Sequence, residues 1–201
     1  VIESEFPMDF SDYQFVTKVI PINKSDDEIT CRKNEHENTM YHNEEIITNG
    51  NSDQLDFINV TPLHNYGYYG QNVTIAIMDD GFLRANQVEQ LNHIFEENRV
   101  VCAKNFIDSK SIYNVGSGHG SRILSILAAE SSNFTGSSPR ANYMLFRTED
   151  VDNESLIEEY AWVSAAEYAD SVGVDIISSS LNYSIMDDSS QSHTYSDMDG
   201  K

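Results

Sequence analysis

The sequence is poor in positive charge. Lys and Arg number 12 among 201 residues against 33 Asp and Glu, for a formal charge of −21. Such a chain repels phosphate backbones and anionic headgroups, so neither nucleic acid nor a membrane surface is expected as a partner. No apolar run approaches the roughly 18 residues of a membrane span. Four Pro and ten Gly are too few for a collagen-like or low-complexity chain. Only two cysteines occur, Cys31 and Cys102. They cannot build a disulfide framework or a cysteine zinc site. They read as two unpaired small hydrophobes, with a single bridge as the alternative. What is present is a hydrophobic fraction of 39%, enough to bury a core.

Charge is uneven along the chain. Residues 1–56 hold 13 acidic and 4 basic residues, the other 145 hold 20 and 8. Residues 1–53 carry no recognisable motif and read as the end of a propeptide, its linker or an extension. Within them 13–22, with Phe15, Val16, Val19 and Ile20, reads as a short strand, and 23–54 as a linker or exposed loop.

From residue 55 the pattern changes. Leu55, Phe57, Ile58 and Leu63 suggest a short helix. Val73 to Met78 is a continuous apolar, β-branched run closed by Asp79-Asp80-Gly81, which predicts a buried strand. Val100 to Ala103 with Phe106-Ile107 predicts a second strand, and 86–97 a helix between the two, with Val88, Leu91, Ile94 and Phe95 on one face. Ile123, Leu124, Leu127 and Ala128 form one helical stripe over 119–130. A strand follows at 142–147. A helix is expected over about 155–172, capped by Asn153-Glu154-Ser155, with Leu156, Tyr160, Val163, Ala166 and Ala169 sharing roughly one face and Gly173 at its end. The run 174–180 predicts a last strand. Strands alternating with helices mean βαβ units, a parallel sheet and helices on both faces. Ligands on such sheets gather at the carboxyl ends of the strands.

Two residues with chemistry fall at that edge. Asp79 ends a buried strand, where a carboxylate is partly desolvated and open to backbone donors. His119, between Gly118 and Gly120, opens a helix, and its small neighbours let another chain approach the imidazole.

Together these segments resemble the subtilisin-like serine peptidases, the subtilases of the peptidase S8 family. Val73 to Phe82 is similar to their first signature, an apolar strand followed by Asp, a small residue and Gly. Gly118-His119-Gly120-Ser121-Arg122-Ile123-Leu124 resembles the second, His-Gly-Thr before an apolar helix. Gly136-Ser137-Ser138-Pro139-Arg140-Ala141 is similar to Gly-x-Ala-Pro-x-Ala, and Asp175-Ile176-Ile177-Ser178-Ser179-Ser180-Leu181 to Asp-Val-Ile-Asn-x-Ser-Leu. Phe146 to Asp150 and Tyr195 to Gly200 look like a secreted, Bacteroidetes-type branch. The resemblance covers about 54–201.

It implies a three-layer α/β fold, incomplete in this chain, with 54–201 as the N-terminal half of a peptidase domain. It also implies serine endopeptidase activity on peptide or protein substrates, in a secreted or cell-surface setting. Asp79 and His119 would be the orienter and base of a Ser-His-Asp triad, in the Asp-then-His order of subtilisin. Ser180, Leu181 and Asn182 would lie along the bound peptide. No cofactor is expected; calcium is common in the family, but no ligand maps onto this sequence. The third signature, Gly-Thr-Ser, is absent, and the nucleophilic Ser and oxyanion Asn are expected beyond Lys201. Ser121 replaces Thr, Ala129 a helical Gly, and Asn182 the Gly after Ser-Leu; Arg122 is also unusual at its place. Asn-x-Ser/Thr sequons at Asn23, Asn59, Asn72, Asn133, Asn153 and Asn182 read as composition.

Two other classes compete. A phosphoacceptor receiver would use Asp79-Asp80 to hold magnesium, but it needs a later Lys, and none occurs between Lys110 and Lys201. A catalytically inactive binding protein on the subtilase scaffold is the alternative to the enzyme.

Overall fold

The computed structural model describes residue 31 and residues 50–197. The strand expected over 13–22 lies outside the described residues, as does most of the linker expected over 23–54. Residues 52–54 of that linker are helical instead, because they open α1, Ser52–Phe57. The single short helix expected near 55–63 is two. Asn59 adopts a left-handed conformation, φ 56°, and breaks the chain before α2, Thr61–Asn65, whose first turn holds Pro62.

Four strands follow: β1, Thr74–Asp79; β2, Val100–Asn105; β3, Asn142–Arg147; and β4, Ile176–Ser179. They form one sheet in the order β2-β3-β1-β4, and every pairing is parallel. The helices expected over 119–130 and 155–172 are α4, His119–Ala128, and α5, Ile157–Ser171, numbered after the short α3, Asn92–Glu96. Alternate side chains of a strand face opposite ways. Ile75 and Ile77 of β1, with Tyr143 and Leu145 of β3, join Leu124 and Ala128 of α4. Ala76, Met78, Met144 and Phe146 join Ala161, Ala165 and Ala169 of α5. Helices therefore cover both faces of a parallel sheet, a three-layer α/β architecture.

Several expectations are corrected. The segment 86–97 is not one helix. It is two single 3-10 turns, Ala85–Gln87 and Glu89–Leu91, separated by an extended Val88, and then α3. Leu91 and Ile94 still reach the core. Ala129 is not helical either; it is extended, ψ 144°, just past the end of α4.

α5 does not bury as a whole the face shared by Leu156, Tyr160, Val163, Ala166 and Ala169; of these five residues Ala169 is buried. Tyr160 and Val163 are each 48% exposed, while Ala161, Ser164, Ala165 and Ala169 are buried. The alanines let the helix lie close to the sheet, where larger side chains have no room. No side chain caps its start. The Glu158 carboxylate turns back instead and accepts from the backbone amides of Asp150, at 2.6 Å, and Ser155, at 3.1 Å.

The cysteines are not unpaired. Cys31 and Cys102 form a disulfide across 71 positions. Cys102 is fully buried in the core beneath α5, and Cys31 packs against the same cluster.

Candidate active site

The carboxyl ends of β1 and β3 and the start of α4 meet at one edge of the sheet. Asp79 is the last residue of β1, in register with Arg147, the last of β3. Its side chain is fully buried. His119 is the first residue of α4. Gly118 reaches that start with φ +85°, a conformation a side chain would strain. Gly120 must stay bare for another reason. A Cβ there would lie 2.3 Å from the Gly81 carbonyl oxygen and 2.9 Å from the Cβ of Asp79. The glycine thus lets the helix end sit directly on the end of β1.

This approach brings the two candidate residues together. His119 Nδ1 lies 2.8 Å from Asp79 Oδ1 and 3.0 Å from Oδ2. A carboxylate only accepts, so Nδ1 carries the proton and donates it, which leaves the lone pair on Nε2. The ring is 37% exposed on its side chain while the carboxylate is sealed. Burial raises the Asp79 carboxyl to about 6, against the opposing pull of the His119 hydrogen bond and the Asp80 amide. That amide donates to Asp79 Oδ1 at 2.9 Å.

Asp80 points elsewhere. Its Oδ2 accepts from the Ser117 amide at 2.7 Å and the Ser117 hydroxyl at 2.5 Å. Its Oδ1 takes a long bond, 3.4 Å, from the Gly120 amide. Burial would raise this carboxyl, but the Ser117 bonds outweigh it and hold it below the usual value. Asp80 therefore fastens the loop before α4 to the end of β1, and the first turn of α4 carries His119.

Sequence reading missed Arg147. It is almost fully buried and donates from Nε to the Asp80 carbonyl at 3.2 Å. Its other nitrogens meet Asp108, 2.9 Å, and Asp150, 3.0 Å. One guanidinium thus ties together the ends of β1, β2 and β3. The signal available was a lone Arg at the end of an otherwise apolar strand. Also missed were Glu149 and Glu158, held close behind β3. Burial first, then the charges of Glu158 and Glu154, push the Glu149 carboxyl up to about 8. Glu158 is raised too, again by burial first.

Ser180, Leu181 and Asn182 follow the end of β4, an edge strand, and do not touch the Asp79–His119 pair in any hydrogen bond. Ser180 is exposed, and Leu181 packs partly against the core beneath α5. Asn182 Oδ1 accepts from the Ser184 amide at 2.9 Å. Asn182 lines a groove of about 610 Å³ with Trp162, Val163, Tyr183 and Tyr195. Trp162 Nε1 donates to the Ser179 hydroxyl at 2.9 Å, fixing α5 beside the β4 edge. Among the described residues no cluster of three or more His, Cys, Asp or Glu side chains suits a metal ion.

The model of the subtilase family matches residues 70–199. Thermitase of Thermoactinomyces vulgaris is 32% identical over 115 residues, which are 56% of this chain and 38% of that protein. The chain thus spans well under half the length of that relative. A structure of MycP1 from Mycobacterium smegmatis superposes with a TM-score of 0.47 at 16% identity, over 61% of this chain and 34% of that one. A second, of the serine protease MycP1 described as an essential component of the type VII (ESX-1) secretion system, gives 0.47 at 18%, over 71% and 40%.

Proposed function

Because this chain belongs to the subtilase family, we propose that it supplies the base and its orienter to a serine endopeptidase acting on peptide or protein substrates. The observation that carries this reading is the buried Asp79 carboxylate accepting from His119 Nδ1 while the ring stays open to solvent. In such a pair Asp79 holds the tautomer and stabilises the imidazolium. His119 Nε2 removes the proton of a serine hydroxyl, then returns it to the leaving amine. The serine and the amide that completes the oxyanion hole would come from elsewhere in the complete protein. The reaction needs no cofactor, and no step runs through a metal.

Ser180, Leu181 and Asn182 would align the substrate. They directly follow β4, so an extended peptide could run beside them and pair through main-chain hydrogen bonds. We also place the protein outside the cytoplasm, secreted or on the cell surface. The Cys31–Cys102 bridge supports this, since disulfides persist in oxidising compartments.

The test uses the intact protein. A fluorophosphonate should label one serine, and His119→Ala should abolish that labelling. Asp79→Asn should keep the fold but lower kcat by about 10⁴-fold. An intact protein with Asp79 and His119 in place that neither labels nor cleaves peptides would make the scaffold a binding protein instead.

A further inference from the structure

The disulfide is not a surface staple. Cys102 lies in the middle of β2, an edge strand, with its side chain fully buried in the core beneath α5. Cys31 is brought to that same cluster and packs against it. Around it the cluster is finished by aromatic side chains. Phe106, Phe146 and Tyr168 meet edge to face with centroids 5.5–6.2 Å apart. Lys104 Nζ sits 4.5 Å from the Tyr168 ring centroid. Cys31 therefore forms part of the α5-side core, although the described fold resumes only at residue 50.

Between Cys31 and the start of α1 lies the pair Arg32-Lys33, the only basic residues between Lys24 and Arg84. Any backbone cut from Arg32 to Asn51 adds water across one peptide bond and leaves the bridge intact.

We propose that the segment carrying Cys31 is a covalently retained part of the mature protein and not a dissociating leader. A cut on its C-terminal side divides the chain but keeps the piece attached through Cys31–Cys102. Release requires reduction, in which a phosphine or thiol reductant supplies two electrons, two protons are taken up, and two thiols result. This proposal rests on the bridge and its packing alone, so it stands or falls separately from the peptidase reading.

The experiment is an intact-mass and thiol-alkylation analysis of the full-length gene product, exported from its host and purified without reductant. The expected result is one equivalent of the Cys31 peptide per Cys102, contiguous or cut, with neither cysteine alkylated by iodoacetamide. With a phosphine reductant both become alkylated, and a cut piece separates. A mature species that lacks residue 31 and has an alkylatable Cys102 would overturn the proposal. So would two reactive thiols in the unreduced protein. Cys31→Ala gives an independent readout. Its thermal unfolding should be several-fold faster than that of the parent and indifferent to reductant. Equal unfolding rates for the parent with and without reductant would refute the structural role of the bridge.

Discussion

Asp79 ends β1, Asp80 follows it, and the two do different work. Asp79 faces the imidazole, and Asp80 faces Ser117. The difference follows from the strand, in which neighbouring side chains leave on opposite sides. On the proposed reading Asp79 is also the group whose protonation should set the acid limb of the activity. Its carboxyl is raised to about 6 by burial. Protonated, it no longer stabilises an imidazolium. In the complete enzyme kcat/KM should therefore fall as pH drops through about 6. A profile flat down to pH 4 would contradict the assigned role. Asp80→Ala should leave kcat far less affected than Asp79→Asn, while lowering the melting midpoint. It removes the acceptor of two short bonds from Ser117, an exposed residue whose freed hydroxyl and amide water can satisfy, so each lost bond should cost on the order of 1 kcal/mol. Kinetics and calorimetry on the two variants separate these effects.

At the scale of elements, the start of α4 depends on one close approach. Gly120→Ala would drive a methyl into the Gly81 carbonyl, backbone that cannot swing away. Overpacking of this kind costs roughly 1–3 kcal/mol. It should also move His119 away from Asp79, so kcat should drop together with stability; unchanged kcat at a lowered melting point would show that the contact is only structural. The junction of β3 and α5 carries a pH dependence of its own. Glu149 is raised from 4.5 to about 8, with burial the first cause and Glu158 and Glu154 the next. The folded state then keeps a proton that the unfolded chain loses above about 4.5. Stability from this group is fully present below pH 4.5 and is lost as pH rises toward 8. Glu149→Gln should raise the melting midpoint at pH 8 and flatten its slope between pH 5 and 8. A midpoint that climbs over that range in the parent protein would reverse the sign.

For the molecule as a whole, the acidic N-terminal segment and the sheet are joined across 71 positions by one bridge. Closing a loop of that length removes chain entropy worth about 4 kcal/mol from the unfolded state in the simplest account. Reduction should therefore lower the melting midpoint by on the order of 10 °C, read by calorimetry with and without a phosphine. Much of the architecture was legible in the sequence. The apolar run before Asp79 and the strand at 142–147 are local patterns that need no partner to be recognised. So are the stripe of α4 and the alternation of strands with helices, and together they determined a parallel sheet with helices on both faces. Asp79 and His119 were legible as candidates because each sits at the junction of an apolar element and a glycine. Their hydrogen bond was decided only by the fold, since it depends on how closely Gly120 lets α4 approach β1. Tertiary structure alone also chose the alanine face of α5 over its larger residues, because the space above the sheet admits only small side chains. It likewise gathered Asp80, Asp108 and Asp150 around Arg147 and joined Cys31 to Cys102. Those contacts link residues that sequence periodicity does not relate, and they exist only once strand order and register have brought the chain ends together.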